Sequence, residues 1–104
     1  MIRAAEPEFA VGQCIRHRRY GYRGVIAGFD LRCRASNDWY TANRSQPAKD
    51  QPWYHVLVHG AVHTTYAAES NLEVDPEPKP VDNPLVQEVF QRFAKGRHIP
   101  KDKD

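Results

Sequence analysis

Apolar and polar positions change rhythm several times along the chain. Two short apolar runs, Val11 to Ile15 and Val25 to Phe29, flank a polar and aromatic stretch from Arg16 to Gly24. Valine and isoleucine fit a pleated, half-buried surface, and glycines at 21 and 24 suit a chain reversal. The pattern predicts strands at Cys14 to His17 and Arg23 to Asp30, joined as the opening hairpin of a small β-barrel. The second strand is apolar on both faces, as a doubly covered strand should be, and Gly28 inside it predicts a bulge. Trp53 to His59 (W-Y-H-V-L-V-H) is the strongest strand signal. Tyr54, Val56 and Val58 share one of its faces, and Trp53, His55, Leu57 and His59 the other. Gly60-Ala61 turns the chain into a strand at Val62 to Ala67, and Leu72 to Val74 makes a brief fifth strand.

The remaining stretches read differently. Leu31 to Pro52 has neither period and is predicted as a long insert after the second strand, with a helical turn near Ser36 to Ala42. Trp39 and Tyr40 give that insert something to pack. Prolines at 76, 78, 80 and 84 mark an extended connector. Asp82 or Asn83 is placed to cap a helix with Pro84 at its first position. Leu85, Val86, Val89, Phe90 and Phe93 recur at helical spacing, so a short C-terminal helix is expected over 85–94, ended by Gly96 and followed by a polar tail. The expected organisation is a flexible lead-in at 1–8, a mostly β, five-stranded barrel at 9–74, and a connector, helix and tail at 75–104.

The chain has 104 residues, enough for one compact core. No run approaches the roughly 18 apolar residues of a membrane span. The start, M-I-R-A-A-E-P-E-F, carries no apolar signal core, so a cytoplasmic protein is expected. Net charge is only +2, but it is unevenly spread. Six arginines (16, 18, 19, 23, 32 and 34) face one acid, Asp30, between Gln13 and Arg34. Between Gln51 and Ala68 there is no charged residue apart from histidine. A basic face on a near-neutral chain points to an anionic partner, or to an edge whose charge discourages sheet-to-sheet pairing.

Catalytic chemistry finds little support. The chain has no G-x-S-x-G, P-loop or H-E-x-x-H motif and no recognisable carboxylate pair, so no enzyme and no cofactor are expected. Cys14 and Cys33 make no disulfide framework, and their spacing to the histidines matches no zinc pattern. His55, His59 and His63 cluster around one hairpin, but with no flanking carboxylate they read as strand-surface residues. The best candidate is the basic turn. Arg16, Arg18, Arg19 and Arg23 can contact phosphates, and Tyr20 and Tyr22 can stack or wedge. A second candidate is a partner surface built from Trp39, Trp53 and Phe93, where the insert and the C-terminal helix meet the barrel.

Three blocks in order are similar to a known family: V-G-Q-x-I-R-H-R-R-Y-G-Y-R-G-V-I-A-G-F-D, then P-W-Y-H-V-L-V, then T-Y-A-A-E-S-N-L-E. From about Phe9 to Glu73 the chain resembles the YccV-like, or hemimethylated-DNA-binding, domain. The tail N-P-L-V-Q-E-V-F-Q-R-F resembles the F-box-associated branch of that family more than the HspQ-like branch. The resemblance implies an SH3-like barrel and one of two non-catalytic roles. One is binding of DNA, hemimethylated DNA in particular. The other is a protein-interaction module, such as the stress-response protease adaptor for Lon of the HspQ type or an F-box-type substrate binder.

Overall fold

The structure, a computed structural model, describes residues 6–101. Residues 1–5 of the expected lead-in and 102–104 of the expected tail lie outside the described residues. Five antiparallel strands form one sheet: β1 (Cys14–His17), β2 (Arg23–Asp30), β3 (Trp53–Val58), β4 (Thr64–Ala68) and β5 (Leu72–Val74), in the order β4-β3-β2-β1-β5. A helical turn, α1 (Asn37–Ala42), sits in the insert between β2 and β3, and Ser36 caps it by accepting from the Trp39 amide. These elements fall where the apolar pattern places them. The expected bulge is present as well, since the β2–β3 register slips between Ile26 and Gly28.

The sheet is buried on both sides. On one face Ile15, Ile26, Tyr54 and Val56 pack with Phe9, Ala67 and Leu72. On the other, Cys14, Val25 and Leu57 lie beneath Val81 and Phe90. Each large side chain removed from water in this way contributes about 1.5–3 kcal/mol. The apolar texts of β2 and β3 therefore reflect two separate covers. The hydrogen-bonded ladder stops at β4 and β5, with a 3₁₀ turn (Glu69–Asn71) between them. The barrel expected from the sequence is thus not closed by strand pairing among the described residues.

The C-terminal helix expected over 85–94 is corrected. Only one helical turn forms, α2 (Val86–Val89). The chain then runs out as β6 (Phe90–Ala94), turns, and returns as β7 (Arg97–Pro100). The start is corrected too: Asn83 accepts from the Leu85 amide, but the helical turn begins only at Val86, with Leu85 at its N-cap and no side-chain capping bond, and Pro84 lies before it. The helix stops because an isolated ten-residue helix is marginal, whereas Lys95 (φ 53°) and Gly96 (φ 78°) make a two-residue turn whose twist suits a hairpin. The expected tail supplies the partner strand. Buried His98 is gripped by Phe90 and Phe93 and accepts the Val81 amide at Nε2. The hairpin is latched to the sheet where the His98 amide donates to the Gly12 carbonyl at 2.8 Å. A Cβ on Gly12, whose φ is +95°, would lie 2.0 Å from the His98 carbonyl oxygen, so only glycine allows this approach.

Candidate nucleic-acid interface

The connection between β1 and β2 is held by a histidine. His17 is buried, and its Nδ1 accepts the amides of Arg19 (3.2 Å) and Tyr20 (3.0 Å). A nitrogen that accepts two donors carries no proton, so the ring is neutral and donates only from Nε2. Burial, and next the nearby Arg19 charge, hold its pKa below the ordinary value. Tyr20 stacks on this ring at 4.6 Å and 18°, and Tyr22 leans on it at 4.9 Å. Gly21, at φ +76°, lets the chain turn between the two tyrosines.

The four candidate arginines divide. Arg16 and Arg23 pair across the hairpin and face the proline-rich connector. Arg23 is committed there: its Nε donates to buried Asp75 at 2.8 Å and its other nitrogen to the Lys79 carbonyl at 2.6 Å. Burial works to raise the Asp75 pKa. The bonds from Arg23 and the Glu77 amide, with the Arg23 and Arg16 charges, outweigh it and leave the carboxyl below its usual range. Arg18 is exposed but anchored, donating to the Leu72 carbonyl and lying 3.4 Å from Glu73. Arg19 is exposed and lies 6.0 Å from the Tyr20 ring. Among the described residues neither Arg16 nor Arg19 has a carboxylate within ion-pair distance.

Tyr22 is half-buried against the core, and burial raises its hydroxyl to about 12 although a bond with Thr65 works the other way. Of the two candidate stacking rings, Tyr20 is the one presented, at 50% exposure.

Beside the turn runs a narrow cleft of about 80 Å³. Its other wall is the insert. Trp39 stands edge-on to Trp53 (6.1 Å, 71°) and Tyr66 (5.7 Å, 64°), while Tyr40 donates to the Pro47 carbonyl. Trp53 is 3% exposed and donates its indole N–H to the Ala48 carbonyl, so it is a support, whereas Trp39 is 37% exposed. The structure therefore brings Trp39 and Trp53 to the cleft that Tyr20 and Tyr22 line. Phe93 is elsewhere, on the C-terminal hairpin against His98.

Tyr66, His17 and Asn71 line the cleft and were not singled out from the sequence. Tyr66 had one legible signal, since its place opposite His55 follows from strand alternation once the hairpin is drawn. Its hydroxyl donates to Asp30 at 2.7 Å and accepts from the Arg34 amide, so it pins the insert to the end of β2. Cys14 and Cys33 are far apart in environment, one buried and one half-exposed, and no group of three metal-ligating side chains forms among the described residues.

The fold and the turn define a small antiparallel β domain that presents a basic, aromatic surface. The chain belongs to the family described as hemimethylated DNA-binding protein YccV like, which it matches over residues 7–97. It is also similar to F-box only protein 21 of Homo sapiens, Mus musculus and Pongo abelii, at 34% identity over 95 residues. That match covers 88% of this chain and 15% of each relative, so the chain spans about a seventh of their length. No helix among the described residues is long and apolar enough to cross a membrane.

Proposed function

We propose that this domain binds duplex DNA non-catalytically through the β1–β2 turn, with Arg16, Arg18 and Arg19 on phosphates and Tyr20 beside them. The observation that carries the reading is the bracing of the turn. The two bonds to His17 and the bond from the Arg18 amide to the Asn71 carbonyl fix its backbone, so exposed guanidinium groups are presented on a rigid support. Membership of a family described by hemimethylated DNA binding supports the same ligand class, and a preference for hemimethylated sites is part of the proposal. Arg23 serves by holding the connector against the sheet. The sheet, curled around Ile15, Ile26, Tyr54 and Val56, is read as SH3-like, and the protein as cytoplasmic.

The test is a salt titration of binding to matched unmethylated, hemimethylated and fully methylated duplexes, followed by fluorescence anisotropy. Affinity should fall linearly on logarithmic axes as salt rises. The double variant Arg18→Ala, Arg19→Ala should bind several-fold more weakly and flatten that slope by about one unit per residue. Equal binding and an equal slope for the variant would remove the turn from the account.

A second reading is favoured by the F-box relatives and by exposed Trp39, namely a protein-interaction or protease-adaptor module. It predicts binding that is insensitive to salt and is lost in Trp39→Ala.

A further inference from the structure

The cleft has features that phosphate contacts do not use. It lies between an exposed ring on the basic turn, Tyr20, and an exposed ring on the insert, Trp39. Both rings are held by others behind them: Tyr20 by His17, and Trp39 by Trp53 and Tyr66. Between them runs β4, an edge strand of the sheet. Its register fixes which backbone groups are used. The Glu69 amide donates to the Pro52 carbonyl, so the pairs Tyr54–Ala67 and Val56–Thr65 are the bonded ones. The N–H and C=O of Tyr66 and Ala68 consequently point away from β3, and both residues line the cleft, but Ala68 is 1% exposed, so the half-buried Tyr66 is the one that offers its groups at the edge. Thr65, Asn43 and Asn71 also line it, with the Asn43 amide nitrogen donating to the Trp39 carbonyl and Thr65 bonded to Tyr22.

We infer that this cleft is a pocket for a single nucleobase turned out of a DNA strand. A base needs π surfaces to replace the stacking it loses, and donors and acceptors for its edge. Tyr20 and Trp39 offer the first. The outward backbone groups of Tyr66, with Asn71, offer the second. Charge selects the occupant. The same turn carries Arg18 and Arg19, which would hold the phosphates on either side of the extruded base, and it contains no acid. Among the described residues no carboxylate lines the cleft itself, and Glu73 and Asp30 are engaged, Glu73 by Arg18 and Asp30 by Tyr66 and His55. The inference rests on the DNA-binding reading and adds to it that the protein reads an unstacked base as well as the backbone.

Three oligonucleotides of the same sequence separate the two: a matched duplex, a duplex with one base opposite an abasic site, and the single strand. 2-Aminopurine replaces the unpaired base. The expected result is about tenfold or tighter binding of the unpaired-base duplex than of the matched one, because the cost of unpairing is removed. The 2-aminopurine emission should be quenched on binding. Tyr20→Ala and Trp39→Ala should each lose that preference and the quenching, and Trp39→Ala should keep its affinity for matched duplex. Tyr20 is half exposed, so its variant keeps the test valid even where loss of Trp39 loosens the insert. Equal binding of all three probes with unchanged emission would overturn the base pocket and leave DNA binding standing. No binding of any probe near physiological salt would overturn both.

Discussion

Arg23 lies in the basic turn by sequence, yet its side chain serves the fold. The variant Arg23→Ala removes a 2.8 Å bond to Asp75, whose side chain is 3% exposed, and a 2.6 Å bond to the Lys79 carbonyl. Asp75 would keep only the Glu77 amide as a hydrogen-bond donor from those seen here. Removing one partner of a buried ion pair costs about 3–5 kcal/mol because the other charge is stranded. The Arg23 side chain is 23% exposed, so water can reach part of the gap and the lower end, ~3 kcal/mol, is expected. For a domain of this size that moves a urea midpoint down by on the order of 2 M. The assay is urea unfolding followed by tryptophan fluorescence, with Arg19→Ala as the control, for which a change within about 0.5 kcal/mol is expected. A double cycle with Asp75→Asn should recover part of the loss. The pair also sets an acid limb. The folded carboxyl sits below its ordinary value of 3.8, so its contribution is complete above that pH and is lost as pH falls through the folded pKa. The reasoning is refuted if Arg23→Ala shifts the midpoint no further than Arg19→Ala does.

Further outcomes follow from other sites. His17 and His98 are both held below the ordinary 6.5, by burial first and then by Arg19 and Arg23 respectively. The folded state therefore prefers them neutral. Stability should be flat above that value and should fall as pH drops below it, by at most about 1.4 kcal/mol per pH unit for each histidine. Unfolding curves that coincide from about pH 7.5 down to about pH 5.5 would contradict this. Gly12→Ala should cost more than about 3 kcal/mol, combining a clash with the His98 carbonyl and positive φ, whereas Gly21→Ala, with nothing within 4 Å, should cost only about 1 kcal/mol. Thermal melts showing equal losses for the two would mean that the hairpin latch is not tight.

The strands were legible because each carries its own signal: β-branched runs, a glycine at the bulge, and glycine turns. The C-terminal hairpin was not. Leu85, Val86, Val89, Phe90 and Phe93 are periodic for a helix, and the sequence R-H-I-P looks like a tail until Val81, Phe90 and Phe93 are seen around His98. Tertiary packing overrode local periodicity there. The basic turn was visible as composition, but the division of its arginines was not. Arg23 meets Asp75 from 52 positions away, a distance no local pattern spans. Trp39 and Trp53 could be suspected of forming one surface, while Phe93 was grouped with them only because a helix was assumed to carry it.

The cover over Cys14 has a practical meaning. The thiol lies beneath the connector, 3.7 Å from the Lys79 carbonyl, and burial raises its pKa although the Arg23 charge works the other way and Asp75 adds to the rise. A thiol reagent can reach it only when residues 79–81 and the hairpin behind them lift. Cys33, half-exposed in the insert, reports ordinary accessibility in the same molecule. The ratio of the two labelling rates is thus a built-in clock. It times how often the C-terminal strap leaves the sheet, without any added probe and under conditions where the rest of the domain stays folded.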